Sequence, residues 1–208
     1  YYAAFSPSFV ASMIKALNLH SDSILLDPFI GSGTTSVVAK RMGVPSVGIE
    51  LNPAAYFISR GKVAWDFERN ELEEELRVLE TISNFEVKPS PQYAKWYTPN
   101  DPAVERTLTL GHHILEKVEG EIQDFLMAAL LLSLRSFARV KRGSNPVWMR
   151  INTQINTLNQ DIFPVFASNA RAMFSDFEKM KTYRKCRSEI LFGDTRKLVL
   201  PKDVKSVD

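Results

Sequence analysis

The chain has 208 residues, a formal net charge of +2, 45% hydrophobic and 24% charged residues, and a single cysteine, Cys186. That mixture belongs to an ordinary globular protein and excludes a disordered chain, a disulfide scaffold and an intrachain cysteine-based zinc site. No signal peptide opens the sequence, and its longest apolar run, FLMAALLLSL at 125–134, is too short to span a bilayer, so a buried core helix in a cytoplasmic protein is expected.

In chain order, the first third alternates helix and strand signals. FSPSFVASMIKAL (5–17) has Ser6 placed as an N-cap, Pro7 at the first helical position and apolar residues at helical spacing. SILLD (23–27) is a short strand ended by Pro28, TTSVVAKRM (34–42) is helical with Gly43 as its stop, and SVGIE (46–50) is a second strand. Asn52-Pro53 then opens a helix running to about Ala64. This order predicts a parallel α/β sheet.

From Trp65 to Arg187 the pattern becomes helical: 68–80, 103–118, 120–141, 151–159 and 164–182 carry helical periodicity between proline breaks. Acids dominate from Asp66 to Glu80, whereas Arg135 to Arg150 holds five basic residues and no acid. SEILFGD (188–194) returns to strand character. The simplest organisation is an α/β domain formed by 1–64 and 188–208, interrupted by a helical insertion at 65–187. The opening on Tyr1-Tyr2 without methionine and the stop at Asp208, at what reads as the approach to another strand, suggest a fragment.

The most informative stretch is LLDPFIGSGTT (25–35), a strand feeding a glycine-rich turn and then a helix. Gly31 and Gly33 lack the side chains that would hold a ligand off the backbone. The loop is not a phosphate-cradling G-x-x-x-x-G-K-[ST], because no lysine follows the second glycine. Nor is it the dinucleotide fingerprint, since Ser36 stands where the third glycine belongs. Taken alone, a Gly-Ser-Gly turn is better explained by a tight bend that binds nothing. Glu50, seventeen residues beyond Gly33 at the end of the second strand, changes the balance, because a carboxylate there is placed to accept from ribose hydroxyls.

LLDPFIGSGTT followed by VGIELNP resembles the S-adenosylmethionine (SAM) site of DNA methyltransferases that modify exocyclic amino groups, in which phenylalanine replaces the first glycine of the general methyltransferase loop, as Phe29 does here. YYAAFSPSFVASMIKAL (1–17) is similar to the helix preceding that loop, and EILFGDTRKL (189–198) to the third-strand motif. The resemblance covers about 1–64 and 188–208. It implies a Rossmann-like α/β methyltransferase sheet interrupted by a large helical insertion, with the C-terminal half of the sheet missing. SAM is the implied cofactor and double-stranded DNA the implied substrate, with a cognate restriction endonuclease as a possible partner.

Carried over residue by residue, Phe5 and Ser6 would border the methionine end of SAM, while Asp27, Pro28, Phe29, Gly31, Ser32 and Gly33 would line methionine and ribose. Thr34 and Thr35 would meet the carboxylate or cap the helix. Glu50 would hold the ribose, Leu51 or Asn52 would flank the adenine, and Asp194 with Thr195 would close the far edge, Asp194 accepting from the adenine amino group.

The family's [DNS]-P-P-[YFW] tetrad, which binds the target amine and stacks on the flipped base, does not occur in these 208 residues. The nearest match, Asn145-Pro146-Val147-Trp148, lacks the second proline and precedes the third-strand motif, so it reads as a loop and no catalytic residue is assigned. Carbon-directed cytosine methylation needs a nucleophilic thiolate after a proline, and Cys186 in RKCRS does not provide that context. The basic stretches RSFARVKRG (135–143) and KMKTYRKCR (179–187) are candidate phosphate contacts, led by Arg135, Arg139, Lys141 and Arg142 and flanked by Phe137, Trp148 and Tyr183. Solvated helix faces explain them equally well. His112 and His113 are adjacent and face different sides of a helix, so no metal site is expected. An RNA or tRNA amino methyltransferase, or a non-catalytic SAM-binding subunit, shares most of these features.

Overall fold

The computed structural model describes residues 5–84, 96–98, 101–140, 160–180 and 186–197. Asn145-Pro146-Val147-Trp148, Lys141, Arg142, Tyr183, the 151–159 stretch and residues 198–208 lie outside the described residues. The chain divides into two compact units, one formed by residues 1–66 with 176–208 and the other by residues 67–175.

The first unit is α/β. Its elements are α1 (Pro7–Ala16), β1 (Leu25–Asp27), α2 (Thr34–Arg41), β2 (Ser46–Glu50), α3 (Pro53–Val63) and, after the second unit, β3 (Ser188–Phe192), followed by a 3-10 turn at Thr195–Lys197. The three strands pair in the order β1-β2-β3, all parallel, with Leu26 opposite Val47 and Val47 opposite Glu189. β2, central and apolar, buries Val47 and Ile49 almost completely, as expected of a parallel strand covered on both faces.

Local chemistry starts each helix where the sequence places it. The Ser6 side chain accepts from the N–H of Phe9 at 3.2 Å, and Asn52 Oδ1 accepts from Ala54 and Ala55 at 2.9 and 3.2 Å. Both caps precede a proline at the first helical position, where a missing N–H costs nothing. The far end of α3 is closed by one long-range and one local side-chain donor. Lys40, buried in α2, donates from Nζ to Val63 O at 2.7 Å, and Trp65 Nε1 donates to Lys62 O at 2.7 Å. A cation at the negative end of a helix, satisfying a terminal carbonyl, is a favourable use of an otherwise costly buried ammonium. The Trp65 ring lies 4.9 Å from the same ammonium and adds a cation–π contact.

Gly48 explains why β2 carries a glycine at its centre. A Cβ there would lie 2.8 Å from Ile30 Cγ1 and 3.0 Å from Ile190 Cδ1. The absent side chain therefore leaves room for Ile30, which packs with Val63 and Ile190 and brings the segment after β1 down onto the sheet. The N–H of Ile30 donates to Ile49 O at 3.0 Å and holds the same segment from its backbone.

The second unit is helical in its described residues: α4 (Arg69–Thr81), α5 (Pro102–Lys117), α6 (Glu121–Leu134) and α7 (Phe163–Glu178), the last running past the unit's boundary. A capping box between Glu68 and Glu71 opens α4, and its Leu72, Leu76 and Leu79 are fully buried. Phe67, Phe125 and Phe174 form an aromatic cluster with centroids 4.9–6.5 Å apart. Arg106 spreads its guanidinium over the last carbonyls of α4, reaching Leu79 O at 3.0 Å and Glu80 O at 3.1 Å. Helix α6 buries the FLMAALLLSL run as expected but ends at Leu134, short of the predicted 141. A 3-10 turn at Arg135–Phe137 follows, Ala138 turns extended, and the N–H of Arg139 donates to Trp96 O at 2.6 Å instead of continuing the helical ladder. Among the described residues, no helix is long and apolar enough to cross a membrane.

Replacing Gly48 with alanine should therefore overpack the Ile30–Ile190 contact and destabilise the protein by about 1–3 kcal/mol. Urea unfolding should show a lower midpoint with an unchanged slope.

Candidate functional site

The end of β1 and the turn that follows are organised by their own polar groups. Asp27 Oδ1 accepts from the N–H of Phe29 at 3.0 Å, a local bond that bends the chain through Pro28. The turn closes when the N–H of Gly33 donates to Ile30 O at 3.0 Å. Gly33 then caps α2 in the left-handed conformation, at φ +87°. Its missing side chain is also a packing requirement, because a Cβ would lie 3.0 Å from both Cα and Cβ of Ser59 in α3. Phe29 projects from this turn with 80% of its surface exposed.

The start of α2 leaves backbone donors unused. Among the described residues, the N–H groups of Gly31, Ser32, Thr34 and Thr35 meet no acceptor. Such a row at a helix start, reinforced by the positive end of the helix dipole, suits a carboxylate or phosphate oxygen. The turn's carbonyl side is occupied differently. Lys62 in α3 donates from Nζ to Ser32 O at 2.8 Å, and burial pushes the pKa of this ammonium below the ordinary lysine value.

Three hydrogen bonds join the carboxyl ends of the strands. Ile30 N–H donates to Ile49 O and Gly193 N–H to Glu50 O, each at 3.0 Å, and Thr195 Oγ1 donates to Pro28 O. The turn after β1, the end of β2 and the Gly193–Thr195 segment after β3 are thereby held side by side. Glu50 Oε1 accepts from the N–H of Asn52 at 2.7 Å, which orients the carboxylate and leaves it further acceptor capacity. The Asn52 side chain is engaged in capping α3, while Leu51 stands exposed beside it. Asp194 receives the Arg196 guanidinium, Nε lying 3.0 and 3.1 Å from its two oxygens.

A cavity of about 570 Å³ opens between α1 and the β1 turn, within the size range of small-molecule sites. Phe5, Asp27, Pro28, Phe29, Gly31, Ser32, Thr34 and Thr35 line it, together with Phe9 and Met13 of α1. These are mostly the residues assigned from sequence to the methionine end of the ligand. Glu50, Leu51, Asn52, Asp194 and Thr195 do not line this cavity. Ser6 is also outside its lining and acts as the cap of α1. Lys62 and Ser59 were not singled out by the sequence, because nothing in SRGKV marks either as a neighbour of a turn some thirty residues earlier.

Of the basic candidates in the second unit, Arg135 is exposed at the end of α6. Arg139, the other described candidate, is half-buried with its Nε enclosed. Among the described residues, no cluster of three metal-ligating side chains occurs.

Residues 1–60 match a family model for N6/N4 methyltransferases, described as DNA methylase. Over 90 residues the chain is 38% identical to Type II methyltransferase M.BsoBI of Geobacillus stearothermophilus, an alignment covering 43% of this chain and 17% of that protein. It is 43% identical over 61 residues to Type II methyltransferase M.ScaI of Streptomyces caespitosus, covering 29% of this chain and 20% of the relative. Type II methyltransferase M2.DpnII of Streptococcus pneumoniae is 36% identical over 64 residues, covering 31% and 24% respectively. The matches thus span about a fifth of the length of these relatives. No solved structure matches the chain. The resemblance to amino-directed DNA methyltransferases is supported by these findings.

The Arg196 contact has a direct consequence for titration. Hydrogen bonding to the guanidinium holds the Asp194 carboxyl at about 2, below its ordinary value of 3.8. Arg196→Ala should return it toward that ordinary value. Carboxyl-carbon NMR titration of both proteins reads this directly, with the Asp194 inflection moving to higher pH in the variant.

Proposed function

We propose that this chain carries the SAM-binding part of a DNA methyltransferase acting on the exocyclic amino group of cytosine (N4) or adenine (N6). The observation that carries the reading is the corner at the end of β1. There, a row of backbone donors at the start of α2 lies in one turn with the Asp27 carboxylate, and that turn is bonded to the end of β2, where Glu50 sits. SAM presents complementary groups: a carboxylate for N–H donors, an ammonium and a sulfonium for carboxylates, and a ribose diol for a strand-end acceptor. The residues present therefore fit the cofactor chemically, and the cavity beside Phe5 and Phe29 is large enough to take its methionine portion.

When bound, SAM supplies a methyl carbon open to in-line displacement by a nitrogen. On this reading the chain's contribution is binding and orientation. The amides of Thr34 and Thr35 hold the methionine carboxylate, Asp27 attracts the ammonium and Glu50 accepts from the ribose. Leu51 offers an apolar edge to the adenine, since the Asn52 side chain is engaged on α3. Asp194 accepts from the adenine amino group only once the Arg196 guanidinium moves aside. The helical unit is proposed to contact DNA, with exposed Arg135 as the phosphate contact best placed among the described residues. A cognate restriction endonuclease is proposed because the similar proteins are named Type II methyltransferases.

Calorimetric titration of SAM into the chain, followed by labelled-methyl transfer to duplex DNA, tests the reading. Saturable binding is expected, and absence of binding removes the cofactor assignment. Transfer to duplex DNA but not to RNA favours the DNA enzyme over an RNA amino methyltransferase. Binding without transfer to either is the result expected of a cofactor-binding part whose 208 residues hold no [DNS]-P-P-[YFW] tetrad. Glu50→Ala should weaken SAM binding by about 1.5–3 kcal/mol, the scale of a hydrogen bond to a charged group. Unchanged affinity in that variant would sink the ribose assignment.

A further inference from the structure

We propose that Lys62 is a positioning residue for the SAM site, pinning the Ser32 carbonyl so that the Gly31-Ser32-Gly33 turn keeps one backbone orientation. The inference rests on the cofactor reading above and names a residue on a helix that contributes no other group to it.

Gly31 and Gly33 adopt φ of +55° and +87°, so the residues on either side of Ser32 are those with the least steric resistance to rotation. The peptide unit between Ser32 and Gly33 can flip at little cost unless both of its polar ends are held. Its N–H is held by Ile30 O at 3.0 Å, and its carbonyl by the Lys62 ammonium at 2.8 Å. Flipped, that carbonyl would face Ile30 O in place of the Gly33 N–H, and the turn would lose the bond that closes it and sets the start of α2, where the free donors lie. Lys62 thus acts on the ligand through the backbone of the turn.

Two further observations make the contact more than a chance surface bond. Lys62 lies one helical turn beyond Ser59, the residue against which Gly33 packs so closely that a Cβ would approach its Cα to 3.0 Å. One face of α3 therefore supports the turn at two points. The ammonium is also partly desolvated, and among the described residues it has no carboxylate partner. An apolar residue would avoid the cost of burying that charge. A charged donor at the carbonyl instead gives a stronger bond than a neutral one and adds positive potential beneath the proposed carboxylate site.

Lys62→Met keeps the length and apolar character of the stem, whereas Lys62→Arg keeps a cationic donor. Amide hydrogen exchange at Gly33 in the ligand-free chain reads the turn itself, and calorimetry reads SAM affinity. Lys62→Met should exchange the Gly33 amide faster and bind SAM roughly ten- to hundredfold more weakly, with an unchanged melting temperature. Lys62→Arg should recover most of both properties. Unchanged exchange and unchanged affinity in Lys62→Met overturn the proposal. A loss that arginine does not rescue, accompanied by a lowered melting temperature, also overturns it by marking a purely structural role. If the wild-type chain binds no SAM, the cofactor reading fails, and faster Gly33 exchange in Lys62→Met still establishes the clamp on the turn.

Discussion

Parallel pairing of β1, β2 and β3 is the constraint on which the candidate site depends. Because all three strands run the same way, their carboxyl ends collect along one edge of the sheet. Pro28, Glu50 and Thr195 become neighbours there although they are far apart in sequence, and backbone or hydroxyl bonds from Ile30, Gly193 and Thr195 join them. An antiparallel arrangement would send alternate strand ends to opposite edges. Parallel strands require crossovers, and the one between β2 and β3 carries the whole of the 67–175 unit. Loop closure grows only slowly more costly with length, so the register between Ser46 and Ser188 can survive so long an excursion.

What could be read in advance divides along the range of the interactions involved. Ser6, Pro7, Asn52 and Pro53 start their helices as expected because capping is settled within four residues. The strands expected at 23–27, 46–50 and 188–194, found at 25–27, 46–50 and 188–192, follow from equally local patterns. The predicted end of α6 fails for the complementary reason. Periodicity continues past Leu134, but the N–H of Arg139 goes to Trp96, a residue that no helical pattern near 140 can report. Gly48 similarly reads as an unremarkable strand residue until Ile30, from another segment, is found on top of it.

The candidate site shows the same division. Its chemistry-bearing residues, Asp27, Glu50, Thr34 and Thr35, stand in a recognisable string, and the structure seats them at strand ends or a helix start. Of the groups that hold them in place, Ser59 and Lys62 belong to no such string, and although Thr195 and Arg196 stand in EILFGDTRKL, nothing in that stretch reports that they bond to Pro28 and Asp194. The proposed roles also fall into two spatial sets, since the cavity beside α1 gathers the methionine-end residues without those assigned to ribose and adenine. The Gly31-Ser32-Gly33 turn touches both: Gly31 and Ser32 line the cavity, and Ile30 just before them bonds to the end of β2.

Helix α3 is where these requirements converge. Its first turn is fixed by Asn52, directly after Glu50, and its last carbonyls are taken by Lys40 and Trp65. Between those ends, Ser59 and Lys62 meet the glycine turn, while the Tyr56 ring lies 5.4 Å from that of Phe192 at the end of β3. One rigid element thus contacts the turn after β1, follows the end of β2 directly and packs on the end of β3. A shift of α3 would disturb the turn and the Phe192–Asp194 corner together. The buried ammonium of Lys40 therefore matters to the site although it is remote from every proposed ligand contact: by anchoring Val63, it fixes the helix that holds the turn.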